Sequence, residues 1–522
     1  MNCIKNLQKQ NKSKIDILLV IVFSVIYSII FNAIDFIRYP LKSGSTFDTT
    51  LVFILSVILV FYFFLVASLN KILFNFIVLV STFLSSLALY YIVLYKIRIY
   101  LLDTFILLIQ TNLHEAMGVV SPDLLIVSGI AVIISIVFLY IYNKTIINSY
   151  YRLKIIIIIL LTPMLFLFYQ LRPVMPYAFI YATKMYTTYL HEIHQPRFDI
   201  ASIPATFDAT KNRDLIDVLI IGEAARADHF SINGYTRRTS PNIEQLKVIS
   251  LPQIDSIHGV TNKCVPLMLT RATEKTSKVI YQETSFISIF KKHGFTTAWI
   301  SNQDIIDNSY SNISFFANEA NIQKQVGYEL SSTKNLNITD DKVLDEKMLP
   351  IFDNMLSLKN PKLIILHCMG SHWKYDKHYP DTFTKFTPPC TNSNVARCKH
   401  NELINSYDNS ILYADYFISQ VIKRLVSKNA IVIYCSDHGE FLGEDGYYGH
   451  IPGLRRKEIT NPAMFVWMSE IYKNRNYDKF KNLIANKDKK LPINIIFHSI
   501  LDAASIKGHV IDTKYDIFAT MK

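Results

Sequence analysis

Five long apolar stretches lie in the first third of this 522-residue chain, and they constrain its fold more than any other feature. We predict that each forms a membrane-spanning helix, because about 20 apolar residues cross the ~30 Å hydrocarbon core of a bilayer. The apolar run of the first is too long for a cleaved signal peptide, and no small-residue cleavage site follows it. Segment 1–171 is therefore predicted to be a polytopic α-helical membrane domain with spans at 15–34, 51–68, 72–95, 125–142 and 155–171.

The charges of the short loops predict the orientation of this domain. Eight basic residues lie in the N-terminal tail and in the second and fourth loops, namely Lys5, Lys9, Lys12, Lys14, Lys71, Lys144, Arg152 and Lys154. The first and third loops hold only four, namely Arg38, Lys42, Lys96 and Arg98. The N-terminus is therefore expected in the cytoplasm, and five crossings place everything after about residue 172 on the outer side. Because topology accounts for much of the formal net charge of +12, we expect no nucleic-acid partner.

The third loop, 96–123, alternates apolar residues with polar ones, among them Gln110, Thr111, His114 and Glu115. Two interpretations remain open for this loop. It forms an amphipathic helix on the bilayer surface, or it presents a polar patch to a lipid headgroup.

The rest of the chain has a different pattern. Segment 172–213 contains four prolines and few long apolar runs, and we interpret it as a linker on the outer side of the membrane. From residue 214 onward, short apolar runs alternate with amphipathic stretches, which predicts an α/β domain with a mainly parallel sheet over 214–522. The predicted strands are 215–221, 297–300, 363–366 and 430–434, and the clearest predicted helix is 406–425.

Three of these strands are followed by side chains that bind metals or transfer protons. Glu223 follows the first, His372 lies shortly beyond His367 at the end of the third, and Asp437 and His438 follow the fourth. Taken singly, such residues also occur as helix caps or as structural imidazoles. Ligands bind beyond the carboxyl ends of parallel strands, so the three endings together predict a catalytic metal site. Carboxylates with imidazole and no thiolate suit Zn²⁺ or Mn²⁺.

Such a site also needs a nucleophile, and the segment 258–266 offers two candidates. Cys264 and Pro266 match the start of the sulfatase signature, but Met268 stands where that signature requires arginine. Thr261 is the better nucleophile, since a metal lowers the pKa of a hydroxyl that it touches.

Four sequence blocks together resemble the phosphoethanolamine transferases of Gram-negative envelopes. This membrane branch of the alkaline phosphatase superfamily includes the lipid A transferases and the mobile colistin-resistance enzymes. The blocks are GEAARADHFSINGY at 222–235 with RTSP at 238–241, LHCMGSH at 366–372 with YP at 379–380, SDHGE at 436–440, and GYYGH at 446–450. They occur in the family's order, and the resemblance covers nearly the whole chain. It implies a C-terminal domain of the alkaline phosphatase/sulfatase type.

The resemblance implies a role for each matching position. Glu223, Asp437 and His438 match the zinc ligands, and Thr261 matches a nucleophile that also touches the zinc. His372 and His450 match histidines that bind the phosphoryl group, with a second divalent metal in some members. Thr111 and Glu115 match substrate-binding positions of the third loop, although Leu107 replaces an asparagine that is frequent there.

The cysteines match the family only in part. The resemblance implies a disulfide between Cys390 and Cys398, which fits an oxidising compartment. The other two bridges frequent among lipid A enzymes have no counterpart, so Cys264, Cys368 and Cys435 are expected to be buried thiols. Fewer bridges suggest a branch that acts on core sugars or on another glycan.

The implied protein is a monomeric, zinc-dependent enzyme of the inner membrane with a periplasmic catalytic domain. Zinc is favoured over manganese. It would transfer phosphoethanolamine from phosphatidylethanolamine, through a covalent intermediate on Thr261, to lipid A, a lipopolysaccharide core sugar or another glycan. Two alternatives are a phosphoglycerol transferase of the lipoteichoic-acid-synthase type and a non-catalytic membrane sensor or scaffold.

Overall fold

The computed structural model describes residues 2–39, 45–110, 120–145, 151–168, 173–303, 311–326, 342, 344–359, 361–392 and 394–521. These residues form two compact units, Met1–Tyr189 and Leu190–Lys522. The boundary falls within one helix, Tyr177–Ile193.

The first unit is helical throughout its described part. Its helices are Asn2–Phe31, Ala33–Arg38, Thr46–Ala67, Lys71–Tyr95, Leu102–Gln110, Pro122–Thr145, Tyr151–Phe168 and the start of Tyr177–Ile193. Among the described residues, four stretches are long and apolar enough to cross a membrane, namely Ile15–Arg38, Thr46–Ala67, Lys71–Tyr95 and Pro122–Lys144. These four stretches coincide with the first four predicted spans.

The fifth predicted span, 155–171, starts within the helix Tyr151–Phe168 and extends beyond the described residues. A fifth crossing therefore stays a prediction. The predicted amphipathic loop begins with the helix Leu102–Gln110, and the rest of its polar stretch, which includes Thr111 and Glu115, lies outside the described residues.

A buried ion pair connects the first predicted span with Lys154, which was expected in the fourth loop but lies in the first turn of the helix Tyr151–Phe168. Lys154 Nζ lies 2.7 Å from Asp16 Oδ2, and each side chain is only 1% exposed. Tyr142 donates a hydrogen bond to the other oxygen of Asp16 at 2.9 Å, and Lys154 donates to the carbonyl of Ser68 at 3.2 Å. Charges inside a membrane domain are costly unless they are paired. Here Asp16, Tyr142 and Lys154 lie on three different helices, and Ser68 lies just beyond the end of a fourth.

The segment predicted as a linker contains a regular helix, Tyr177–Ile193. Ala178, Ala182, Tyr186 and Tyr189 are buried along it. Their spacing of three and four residues is that of one helix face. The prolines of this segment suggested irregular structure, but those nearest the helix lie before its start and after its end. The predicted domain boundaries stay a prediction.

The second unit is built around a mixed sheet of seven strands among the described residues. The unit's strands are β1 Ala205–Phe207, β2 Ile216–Gly222, β3 Ile249–Ser250, β4 Ile254–Asp255, β5 Thr296–Ser301, β6 Ile322–Gln325, β7 Lys362–His367, β8 Ala430–Ser436, β9 Phe441–Leu442, β10 Tyr448–Gly449, β11 Met464–Met468, β12 Leu491–Pro492 and β13 Ile506–Gly508. The order in the main sheet is β3-β11-β8-β2-β7-β5-β6. The five strands from β8 to β6 run parallel, and β11 is antiparallel to both of its neighbours.

The predicted α/β architecture with a mainly parallel sheet is confirmed. All four predicted strands are present, as β2, β5, β7 and β8, and the predicted helix 406–425 lies largely within His400–Lys423. Every residue of β2, β7 and β8 is buried, as expected for parallel strands covered by helices on both faces. The other helices of this unit include Pro241–Gln245, Thr261–Leu269, Phe286–Lys292, Asn312–Ala317, Leu349–Leu356, Glu470–Arg475, Tyr477–Asn486 and Ile495–Ala503.

Candidate metal and nucleophile site

The candidate site lies at the carboxyl ends of three neighbouring strands. β2 is paired with β8 on one side and with β7 on the other. Gly222 at the end of β2 lies opposite Ser436 at the end of β8. The next residues along the two strands, Glu223 and Asp437, therefore leave the sheet at the same level.

Glu223, Asp437 and His438 form a compact buried cluster. Each offers one ligand atom, and the three atoms lie within 4.8 Å of one another. His438 Nε2 is 3.4 Å from Glu223 Oε1 and 3.3 Å from Asp437 Oδ2. These two carboxylate oxygens are buried and accept no hydrogen bond from the described residues. Buried carboxylate oxygens without donors are costly, so the cluster is suited to a cation.

Thr261 joins this cluster from the first turn of the helix Thr261–Leu269. Its hydroxyl donates to Glu223 Oε2 at 3.2 Å and lies 3.3 Å from His438 Nε2. Cys264 lies one turn further along the same helix and is fully buried, with its thiol directed at the carbonyl of His258 at 3.2 Å. Of the two candidate nucleophiles, only Thr261 contacts the acidic cluster in the described structure.

The loop that follows β7 packs closely against Glu223. Ser371 N donates to the carbonyl of Glu223 at 2.9 Å. Gly370 has a φ of +51°, and a Cβ atom there would lie 2.9 Å from the backbone nitrogen and oxygen of Glu223. Only glycine fits such an approach with a left-handed backbone. The loop then carries His372 towards the site.

Three histidine rings lie side by side at the site. The ring of His450 is 4.8 Å from that of His438 and 6.2 Å from that of His372, measured between centroids. His438 Nδ1 lies 2.7 Å from the carbonyl of Gly439, and His372 Nδ1 lies 2.5 Å from that of Trp373. A carbonyl accepts only from a protonated nitrogen, so each contact places a proton on Nδ1 and leaves Nε2 as the nitrogen that can exchange a proton or bind a cation.

The sequence model of the sulfatase family matches residues 217–506, which is more than half of the chain. The chain belongs to the sulfatase family. Membership does not depend on the short signature at Cys264, where Met268 departs from the pattern, but on the domain as a whole.

Named relatives of this sulfatase-family chain are phosphoethanolamine transferases. It is 32% identical over 293 residues to the Kdo(2)-lipid A phosphoethanolamine 7''-transferase of Escherichia coli strain K12, covering 55% of this chain and 51% of the relative. It is 32% identical over 311 residues to the phosphatidylethanolamine transferase Mcr-1 of Escherichia coli, covering 56% of each. The chain thus spans about half the length of these curated relatives.

A solved structure resembles the whole chain. The integral membrane lipooligosaccharide phosphoethanolamine transferase A (EptA) from Neisseria meningitidis superposes with a TM-score of 0.78 at 20% identity, over 97% of this chain and 98% of that one. At this identity the likeness concerns the fold. It confirms a helical membrane region followed by an alkaline phosphatase/sulfatase-like domain.

Burial and neighbouring charges shift the pKa values of the residues in the candidate site. Burial and the neighbouring Asp437 raise the pKa of Glu223 well above its usual range. Burial lowers the pKa of His438. Burial also acts to lower the pKa of His450, but the nearby Glu440 carboxylate more than offsets this and raises it. Both carboxylates and a neutral imidazole therefore gain from a cation among them.

Glu440 is a site residue that the sequence analysis did not single out. Together with His438 and His450 it forms a second group whose ligand atoms lie within 4.8 Å of one another. Tyr375 donates to one of its oxygens at 3.1 Å, and the other lies 3.6 Å from His450 Nδ1. The signal was present, because Glu440 ends the SDHGE block that also contains Asp437 and His438.

Other predicted residues lie around the site rather than in it. His367 is buried at the end of β7 against Trp299, and burial lowers its pKa to about 4, so β7 contributes His372 through its loop instead. The structure joins Cys390 to Cys398, with 5.8 Å between their Cα atoms. The expectation of buried thiols is confirmed for Cys264, Cys368 and Cys435.

Proposed function

We propose that this protein transfers phosphoethanolamine from phosphatidylethanolamine to a glycolipid of the bacterial envelope, with Thr261 as a temporary carrier. One observation carries the proposal. The Thr261 hydroxyl lies 3.2 Å from Glu223 and 3.3 Å from His438, inside a buried cluster that includes Asp437. The names of both relatives, one of which acts on Kdo(2)-lipid A, support the transferred group and the class of acceptor.

The donor set of the cluster suits zinc. Glu223, Asp437, His438 and Thr261 would supply carboxylate, imidazole and hydroxyl ligands, a combination that is typical of Zn²⁺ and excludes metals that require thiolates. Bound there, the cation would lower the pKa of the Thr261 hydroxyl and offset the charge of the two carboxylates. His372, Glu440 and His450 would bind a second divalent cation or the phosphoryl group itself.

The first displacement forms a bond between Thr261 Oγ1 and the phosphorus of the donor lipid. The hydroxyl proton passes towards Glu223, which already accepts a hydrogen bond from it. The bond between phosphorus and the diacylglycerol oxygen breaks, and that oxygen takes up a proton from His372 as diacylglycerol leaves. Phosphoethanolamine then remains covalently attached to Thr261.

The second displacement transfers the group to the acceptor. An acceptor hydroxyl or phosphate oxygen attacks the phosphorus on the side opposite Thr261. The bond to Thr261 breaks, and the Thr261 oxygen takes its proton back from Glu223. His372, having given a proton to diacylglycerol in the first displacement, is placed to take the acceptor's proton. His450, whose pKa is raised beside Glu440, is placed to donate to the phosphoryl oxygens as their charge develops.

The proposed setting is the inner membrane of a Gram-negative cell. The chain would cross it five times from a cytoplasmic N-terminus, with a membrane domain over 1–171, a linker over 172–213 and a periplasmic catalytic domain over 214–522. Anchoring beside the bilayer raises the effective concentration of both lipids at the site. Thr111 and Glu115 stay predicted substrate contacts, and a monomer stays the predicted state.

Purified protein in lipid-containing detergent tests this function. We expect transfer of label from ethanolamine-labelled phosphatidylethanolamine to lipid A or lipopolysaccharide, with release of diacylglycerol. Thr261→Ala should lower the rate at least about 1,000-fold, since it removes the nucleophile. Thr210→Ala, which changes an exposed hydroxyl of the same unit, should retain the parent rate.

Mass spectrometry of the trapped enzyme should find one phosphoethanolamine group on the peptide that contains Thr261. Transfer from labelled phosphatidylglycerol instead would favour the phosphoglycerol transferase. Full activity of Thr261→Ala would contradict the proposed mechanism. No transfer by either protein from either lipid, together with an unchanged cellular phenotype for Thr261→Ala, would favour the scaffold.

A further inference from the structure

Gln303 is a polar residue beside the candidate site to which neither the sequence motifs nor the relatives assign a role. It lies two residues beyond the end of β5, the strand that neighbours β7. Its side-chain amide donates to Glu223 Oε2 at 3.1 Å and to the carbonyl of Cys368 at 2.8 Å. An amide group has two N–H donors, so both are used, one on the candidate metal ligand and one on the adjacent strand ending.

The backbone around Gln303 is held on both sides. Ser301 Oγ accepts from Gln303 N at 3.1 Å and donates to the Gln303 carbonyl at 2.9 Å. Asn302 N donates to the carbonyl of His367 at 2.8 Å. The Asn302 side chain donates to Asp345 Oδ1 at 2.8 Å. Gln303 is therefore presented to Glu223 from a fixed backbone.

Asp345 extends this support to the loop after β7. Its carboxylate accepts from Met369 N at 2.8 Å and from Gly370 N at 3.0 Å, and Gly370 is the residue that approaches the backbone of Glu223. Asp345 is 4% exposed. One buried carboxylate thus ties the segment that carries Gln303 to the loop that packs against Glu223.

These contacts have a consequence for the two oxygens of Glu223. Oε2 accepts from both Gln303 and Thr261, whereas Oε1 accepts no hydrogen bond from the described residues and lies 3.4 Å from His438 Nε2. Two hydrogen bonds to Oε2 hold the plane of the Glu223 carboxylate in one orientation. The other oxygen then faces the remaining ligands before any cation arrives.

We propose that Gln303 is a positioning residue for the metal site, which orients Glu223 so that its free oxygen binds a divalent cation. The inference rests on the metal site of the proposed function. Residues that hydrogen-bond to a metal ligand typically raise the metal affinity about 10- to 100-fold.

The test measures zinc affinity of the full-length protein in detergent by competition with a chromophoric chelator. Gln303→Met keeps the length of the side chain and removes its donors, and we expect it to bind Zn²⁺ about 10- to 100-fold more weakly than the parent. Gln323→Met is the matched control, because Gln323 also donates to a backbone carbonyl, that of Ala320, but belongs to β6 and does not contact the cluster. It should bind zinc like the parent.

Substitution of Co²⁺ for zinc gives a second readout. A change in how Glu223 binds should shift the visible absorption bands of cobalt in Gln303→Met and leave those of Gln323→Met unchanged. If Gln303→Met does not fold, Gln303→Ala replaces it, with circular dichroism as the check.

Two failures are distinguishable. A parent protein that binds neither Zn²⁺ nor Co²⁺ overturns the metal site and the inference together. A parent that binds zinc and transfers phosphoethanolamine, with Gln303→Met equal to it in affinity and in cobalt spectrum, overturns the role of Gln303 alone.

Discussion

Strand β2 carries a buried carboxylate near each end, and the two have different surroundings. Glu223 follows its carboxyl end within a cluster of candidate ligands. Asp217 is the second residue of the strand, is fully buried, and neither of its oxygens has a hydrogen-bond partner among the described residues. Burial raises the pKa of Asp217 well above its usual value, although Lys479 acts in the opposite direction. A bound cation can offset the free-energy cost of burying the charged carboxylate of Glu223. Asp217 avoids the same cost by keeping its proton.

Asp217 should make the protein less stable as the pH rises. Its pKa is higher in the folded state than in the unfolded state, so its stabilising effect is complete below the unfolded pKa and is lost above it. Asp217→Asn cannot ionise. Between pH 5 and pH 9, the difference in stability between variant and parent should therefore grow until the pH passes the raised folded-state pKa, by at most about 1.4 kcal/mol per pH unit.

Thermal unfolding of the full-length protein in detergent measures this effect. Asp488→Asn is the control, since Asp488 is exposed in the same unit, and its melting temperature should follow that of the parent at each pH. A constant difference between Asp217→Asn and the parent over the whole range would contradict the expected ionisation.

At the scale of single residues, the sequence located the candidate ligands because they follow recognisable strands. Glu223, Asp437 and His438 were placed by the rule that parallel strands end at one edge, and Thr261 by the chemistry of a hydroxyl beside a metal. Gln303 follows β5, a strand that was also predicted, and the same rule applied to that strand would have indicated it. The pairing of Gln303 with Glu223, which are 80 residues apart, depends on strand order, and strand order is not visible in one sequence.

Elements of the membrane unit are joined by polar contacts as well as by apolar packing. Asp16 on the first helix and Lys154 on the helix Tyr151–Phe168 form an ion pair that is closed to solvent. Removing one member of a buried pair leaves an unpaired charge, which costs more than the pair itself contributes.

Lys154→Met should therefore destabilise the protein by about 3–5 kcal/mol. The double variant Asp16→Asn with Lys154→Met should recover most of this loss, because no charge remains buried. Lys144→Met, at an exposed position, should melt like the parent. Melting temperatures in detergent decide the matter, and a double variant as unstable as Lys154→Met alone would show that the two charges do not act as a pair.

Most helices and strands were predictable, and the two that were missed have weak local sequence patterns. Long apolar runs and short buried strands have strong local patterns, which is why four spans and four central strands coincide with the prediction. The helix Tyr177–Ile193 was missed because its buried face consists mainly of alanines and tyrosines, which do not form the long apolar run of a span. The antiparallel strand β11 was missed as well, since a five-residue apolar run does not reveal its partners.

For the whole molecule, the number of crossings decides on which side of the membrane the second unit lies. An odd number places the two termini on opposite sides of the membrane, and an even number places them on the same side. The native thiols make this measurable, because Cys264, Cys368 and Cys435 are buried and Cys390 is bonded to Cys398. Cys3 in the N-terminal tail then marks one side.

Lys481→Cys would mark the other side, since Lys481 is 55% exposed on the second unit. A membrane-impermeant maleimide should label Lys481→Cys in intact spheroplasts and should label Cys3 only after the membrane is opened. Cys3→Ser removes the second signal and serves as the control. Labelling of both positions from the same side would mean an even number of crossings and would revise the predicted orientation.

Because β8, β2 and β7 lie side by side, the distance between the two acidic ligands is set by the repeat of a β-sheet, about 4.8 Å from strand to strand. More than 200 residues separate Gly222 from Ser436 in the sequence. The strand pairing, and not the length of the intervening chain, sets the distance between Glu223 and Asp437. Insertions in the intervening loops, apart from the segments that carry Thr261 and Gln303, would thus reshape what enters the site and leave the proposed cation site unchanged. A domain built in this way can take a different acceptor while the proposed metal site stays the same.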